Sequence, residues 1–176
     1  MPEQSKKSII VLAGLPLSGK SSTGEQLSKL TGIPFLDVDD ARQHISSGNA
    51  WLGPEREKEI MLAAYSLNHQ KAMEYLRAGK SVIFGATFSR PAYHQMLRDL
   101  ADKAKASLKV FLLQIPDKVV LERLEKRKEQ KTKSNIKTLD SYHEVKDRYV
   151  AYPGAIAIDS YGSIKTTLEI IINTLE

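Results

Sequence analysis

From Gly14 to Ser21 the chain reads Gly-Leu-Pro-Leu-Ser-Gly-Lys-Ser, the Gly-x-x-x-x-Gly-Lys-Ser spacing known as Walker A. Each position has a physical reason. Glycines let a backbone wrap around a phosphate so that successive N–H groups, those of Leu17, Ser18 and Gly19 among them, point at its oxygens. Lys20 sets a point charge against the β- and γ-phosphates of a bound ATP, and the Ser21 hydroxyl is a ligand for Mg²⁺. Ser18 and Ser22 add donors beside them. The pattern works only where a strand runs into a helix, and here it follows the apolar run Ile9-Ile10-Val11-Leu12-Ala13. ATP and Mg²⁺ are the expected cofactors.

A second group of chemistry-bearing residues is Asp37-Val38-Asp39-Asp40-Ala41-Arg42, which follows Phe35-Leu36. If Phe35 to Val38 is a strand of a parallel sheet, these carboxylates stand at its C-terminal end, where such sheets bind ligands. A hydroxyl attacking a γ-phosphate needs a carboxylate to accept its proton, and Arg42 one helical turn on could hold a polar or anionic acceptor. The plainer alternative is that Asp39 or Asp40 only caps the next helix. Arg123 and Arg127, four residues apart, share one helix face. His44, His69, His94 and His143 have no metal-type spacing and read as helix-surface residues. Trp51 either lines an acceptor pocket or simply packs.

The elements that must position these groups alternate short apolar runs with longer helical patterns, the signature of a parallel sheet covered by helices on both faces. Strands are expected at Ser8 to Ala13, Phe35 to Val38, Ser81 to Phe84, Leu108 to Ile115 and Ala155 to Ile158. Helices are expected at Lys20 to Leu30, from Asp39 onward, and at Pro54 to Ala78, Pro91 to Lys105, Asp117 to Gln130, Thr138 to Val150 and Ile164 to Leu175, with a polar loop at Lys131 to Lys137. The 176 residues suit one domain, 1–176. With 41% apolar and 27% charged residues the chain is neither disordered nor collagen-like. There is no cysteine, which excludes disulfides, thiolate metal sites and a cysteine nucleophile. No apolar run approaches the roughly 20 residues of a membrane span, and the first residues carry no secretory pattern, so a cytoplasmic protein with no membrane partner is expected. The net charge of +5 is local. Lys126 to Lys137 holds six basic residues against Glu129 alone, so the rest of the chain sums to zero. That favours an anionic ligand at one place over a face laid along nucleic acid.

With these motifs in hand, the chain resembles the small P-loop kinases that phosphorylate hydroxyls: shikimate and gluconate kinases, chloramphenicol phosphotransferase, zeta-type toxin kinases and the kinase domain of 5′-hydroxyl polynucleotide kinases. Gly32-Ile33-Pro34-Phe35-Leu36-Asp37-Val38-Asp39 is similar to the shikimate and gluconate kinase wording, and Asp39-Asp40-Ala41-Arg42-Gln43 to the polynucleotide kinase wording. The resemblance implies a three-layer P-loop NTPase fold with a five-stranded parallel sheet and a lid at about 124–140. It places Asp39 as the proton-accepting carboxylate, Asp37 near the Mg²⁺ with Ser21, and Arg127, with Arg123 second, on the transferring phosphate. It also implies that Thr87 and Arg90 face the acceptor beside Asp39 and Arg42. Gly85 stands where the family's third strand ends in an acid. The expected activity is transfer of the γ-phosphate to a small-molecule hydroxyl. A polynucleotide 5′-hydroxyl kinase and an ATP-binding switch with little transfer are the alternatives.

Overall fold

The computed structural model describes residues 7–46, 53–129 and 136–176. In chain order it contains β1 (Ser8–Ala13), α1 (Lys20–Thr31), β2 (Phe35–Asp37), α2 (Val38–Ser46), α3 (Pro54–Arg77), β3 (Val82–Gly85), α4 (Pro91–Ala104), β4 (Ser107–Gln114), α5 (Asp117–Lys128), α6 (Leu139–Asp147), β5 (Ile156–Asp159) and α7 (Ile164–Leu175). The strands form one parallel sheet in the order β2-β3-β1-β4-β5. The α/β class and five-stranded parallel sheet expected from the alternation are therefore present.

β1 lies at the centre, and its continuous apolar run follows from that position. Strand side chains alternate between faces, so a strand covered on both sides needs apolar residues throughout. Ile9, Val11 and Ala13 pack on one face with Val82 and Phe84 of β3 and with Ala64, Ala72 and Leu76 of α3. Ile10 and Leu12 pack on the other with Ile83, Phe111, Leu27 of α1 and Ile171 of α7. A third cluster joins Leu17 to Val120 and Leu124 of α5, to Ile136 and to Tyr142 of α6.

Most boundaries fall within two residues of expectation. The consequential difference is at β2, which ends at Asp37, so that Val38 already opens α2. The reason is local: Asp37 Oδ1 accepts the backbone N–H of Asp39 at 2.9 Å, doing the capping work that the sequence suggested for Asp39 or Asp40. At the far end α5 stops at Lys128 rather than Gln130. α6 starts one residue late, behind a capping box between Thr138 and Ser141, and ends at Asp147 rather than Val150. The middle of the expected lid, residues 130–135, lies outside the described residues, as do Trp51, Lys131 and Lys133. Among the described residues no helix is long and apolar enough to cross a membrane.

Candidate active site

The C-terminal ends of β1, β2 and β3 open into a cavity of about 540 Å³, into which α3, α5 and α6 also contribute. Its floor is the loop after β1. Gly14 leaves the strand at φ +143°, where a β-carbon would collide with Leu113 O, and Gly19 caps α1 at φ +91°. Both positions need glycine. Leu17 also takes a left-handed φ of +71°, held there with its side chain buried against α5 and α6.

Lys20 Nζ donates to Gly14 O at 2.9 Å and Leu15 O at 2.8 Å, with Ser18 Oγ at 3.4 Å. Burial pulls its pKa down to about 8, against the opposing charges of Asp39 and Asp37. Ser21 Oγ donates to Asp37 Oδ2 at 2.6 Å. A hydroxyl whose proton is given to a carboxylate keeps its lone pairs for a cation, and hydroxyl with carboxylate is the hard oxygen set that Mg²⁺ prefers. Ser21 and Asp37 therefore fit the ion expected of them, with phosphate and water oxygens to complete it. Among the described residues no three His, Cys, Asp or Glu side chains gather as a metal cluster.

Asp39 keeps its carboxylate free of the capping role, and a third of its side chain is exposed. Burial, and then the negative charge of Asp37, raise its pKa above the ordinary carboxylate value, while Lys20, Arg42 and Arg127 oppose the rise. Arg42 is buried with Nε 3.9 Å from Asp39 Oδ1. Arg127 reaches in from α5. Its Nη1 is buried without a hydrogen-bond partner, and burial lowers its pKa while Asp39 raises it. Lys20, Asp39 and Arg127 are thus within electrostatic reach of one another, although 19 and 88 residues separate them in sequence.

Leu17, Gly19, Lys20, Ser21 and Ser22 line the cavity, as do Asp37, Asp39, Arg42, Thr87, Arg90 and Arg127. Three expected residues do not. Gly14 lies beneath the loop, Ser18 is buried beside Lys20, and Arg123 grips the loop from behind. The guanidinium of Arg123 donates to Leu17 O at 2.6 Å and Ser160 O at 3.3 Å, and it forms no part of the wall.

Several wall residues carried no local signal. Tyr65 of α3 and Tyr93 of α4 are buried and stacked on each other at 4.0 Å. Tyr65 nevertheless accepts the Phe88 N–H at 3.1 Å and holds the turn between Thr87 and Arg90. His94, expected on a helix surface, is 2% exposed with Nε2 2.6 Å from Phe88 O. The carbonyl needs a donor, so the ring was recruited to the interior. Glu57 and Glu144 reach the cavity from helices whose charged residues looked solvent-facing.

Gly85 has a packing reason. A β-carbon there would stand 2.7 Å from the ring of Phe35, and one at Gly24 of α1 would overlap the same ring. Phe35 fills the space from which an acid at position 85 would start. Gly85→Ala is expected to destabilise the fold by about 1–3 kcal/mol, the range for forcing extra bulk into a packed interior. Phe35→Leu in the same chain should recover part of the loss in a thermal melt. Equal melting of Gly85→Ala and the parent would refute this account of the glycine.

Residues 9–149 match the family model of an AAA domain, AAA_33. The chain belongs to this AAA-domain family. The AAA domain here is also 34% identical over 87 residues to a shikimate kinase of Flavobacterium johnsoniae, a match covering 48% of each chain, so it spans about half the length of that relative. In three dimensions it is similar to a candidate kinase of Chloroflexus aurantiacus, with a TM-score of 0.79, 16% identity and coverage of 98% of this chain and 100% of that one. A gluconokinase of Sinorhizobium meliloti gives 0.70 at 18% identity, with 96% and 91% covered. These likenesses confirm the fold of the AAA domain as that of small P-loop kinases.

Proposed function

We propose that the protein is an ATP-dependent kinase transferring the γ-phosphate to a hydroxyl of a small molecule. The observation that carries the reading is the convergence, in one cavity, of the Lys20 loop, the Ser21–Asp37 pair, an accessible Asp39 and the unpartnered Nη1 of Arg127. Asp39 takes the proton of the acceptor hydroxyl. The hydroxyl oxygen bonds to the γ-phosphorus as the bond to the ADP oxygen breaks. Lys20 and Arg127 balance the charge that spreads over the transferring group. A Mg²⁺ ion held through Ser21 and Asp37 would supply further positive charge against the phosphate oxygens. The whole chain is read as one kinase domain whose lid runs through about 124–140, and drawing on ATP suits the cytoplasmic setting expected from the sequence.

At the acceptor end Arg42, Thr87 and Arg90 share the cavity wall with Met61 and Tyr65, and Glu57 Oε2 is buried without a partner. Glu57 calls for a donor on the acceptor, a second hydroxyl or an amine. Glu57 and Glu144 stand on the wall with Arg42, Arg90, Lys137 and Arg148, a mixed set that suits a small acceptor with donors as well as acceptors better than a uniformly anionic phosphodiester chain. The argument for a non-catalytic switch is Gly85 in place of the family's acid, and the Phe35 ring gives that glycine a packing reason of its own. Incubation with γ-labelled ATP and pooled polyols, hydroxy acids, amino sugars and oligonucleotides tests the reading. Label appearing in one small hydroxyl compound supports it, and label in the oligonucleotide alone replaces it.

Arg127 should act on the transition state more than on bound ATP, because charge moves onto the transferring group during the reaction. Arg127→Ala is expected to lower kcat at least tenfold and leave the ATP dissociation constant within a few-fold. A loss confined to ATP affinity would make it a ground-state contact.

A further inference from the structure

The cavity-facing side of the Lys20 loop accounts for phosphate binding, but the opposite side is equally organised. Ser160, in the segment just after β5, is 8% exposed and anchored by its own N–H to Gln114 O at 2.8 Å. Its hydroxyl reaches Ser18 O at 2.8 Å and Gln114 O at 3.2 Å. It has one proton, and the shorter contact gives that proton to Ser18. Arg123 of α5 donates at once to Leu17 O and to Ser160 O, joining loop, helix and post-strand segment.

In a trans peptide unit the carbonyl and the following N–H point in opposite directions. A donor behind Ser18 O therefore turns the Gly19 N–H toward the cavity, which Gly19 lines. A donor behind Leu17 O likewise fixes the Ser18 N–H, which closes the turn onto Leu15 O at 3.3 Å. Leu17 sits at φ +71°, a conformation that a leucine keeps only when its surroundings hold it. The packing of its side chain and the Arg123 bond on its carbonyl are those surroundings.

We propose that Ser160 and Arg123 are positioning residues for the nucleotide's β- and γ-phosphates, acting through the carbonyls of Leu17 and Ser18 from outside the cavity. This rests on the loop being a nucleotide site, as argued above. It gives Arg123 a task different from the phosphate contact that the family resemblance implies. It also assigns a function to a serine 142 residues away from the carbonyl it serves. Because the brace acts on the loop amides, its loss should be felt by ligands carrying a β-phosphate and ignored by those lacking one.

The test is calorimetric titration of the full chain with ADP and with AMP, each with Mg²⁺, alongside thermal melting. Ser160→Ala is expected to weaken ADP about fivefold, as for one lost hydrogen bond, and to leave AMP unchanged. Ser160→Thr, which keeps the hydroxyl, should restore the ADP-to-AMP affinity ratio. Arg123→Met, which keeps the aliphatic stem but can donate to neither carbonyl, should lower that ratio like Ser160→Ala, and it serves if the alanine variant does not fold. Equal weakening of ADP and AMP would overturn the proposal in favour of a base or ribose contact. A lowered melting temperature with an unchanged ratio would overturn it in favour of plain stabilisation. Failure of the parent protein to bind ADP at all would sink the nucleotide-site reading and this inference together, whereas parental binding with an unaltered ratio in the variants sinks only the inference.

Discussion

Lys20→Ala will reduce phosphoryl transfer by about 10²–10³ or more, the range for removing a preorganised donor aimed at developing charge. ATP binding will weaken with it. Lys20 has its Nζ lodged on Gly14 O and Leu15 O, and no other lysine lies in the loop from Gly14 to Ser21. Its titration supplies an independent signature. Burial holds its pKa near 8, and a bound triphosphate favours the protonated form. Nucleotide binding should therefore take up a proton above pH 8 and lose affinity as pH rises further, by up to about tenfold per pH unit. Titrations in buffers of different ionisation enthalpy measure the uptake. Lys20→Ala should abolish it, and turnover close to the parent in that variant would remove the loop from the mechanism.

Asp39→Asn is expected to keep ATP affinity within a few-fold and to lower kcat by about 10²–10⁴, the contribution of a positioned proton acceptor. The active form is the carboxylate. Since burial and Asp37 raise the Asp39 pKa, activity should fall on acidification at a higher pH than an ordinary aspartate near 3.9 would give. That acid limb should disappear in the asparagine variant. If Asp37→Asn proves the more damaging of the two in kcat, the roles assigned to the pair are exchanged. Asp37 should instead show its loss in the Mg²⁺ concentration needed for half-maximal rate, because its oxygen holds the Ser21 hydroxyl.

The loop from Gly14 to Ser21 was legible because its chemistry is local: consecutive residues make one cradle, and the spacing alone states the function. The sheet was legible for a related reason. A strand covered on both faces must be apolar throughout, and Ile9 to Ala13 is. Asp37 and Asp39 were half-legible. The sequence brought carboxylates to the end of a strand but did not say which would cap the helix, and that depended on β2 ending one residue early. What could not be read was contact between distant segments. Arg123 and Ser160 meet the loop across more than 100 residues, Tyr65 and His94 hold the Phe88 turn from two helices, and Glu57 is one of several acids on its own helix. Helical periodicity separates core from surface but has no category for a tyrosine that is both core and cavity wall.

The Phe35 ring lying over Gly24 and Gly85 makes these three positions a single unit of inheritance. A descendant of this chain that gained an acid at position 85 would need a smaller residue at 35 first, and one that lost the glycine at 24 would face the same order of events. Among relatives, the identity at position 35 should therefore forecast whether the third strand ends in glycine or in aspartate. A mutational path that swaps one metal environment for the other must pass through the loosened packing of the smaller side chain, so the two forms are separated by a stability valley and not by a single substitution.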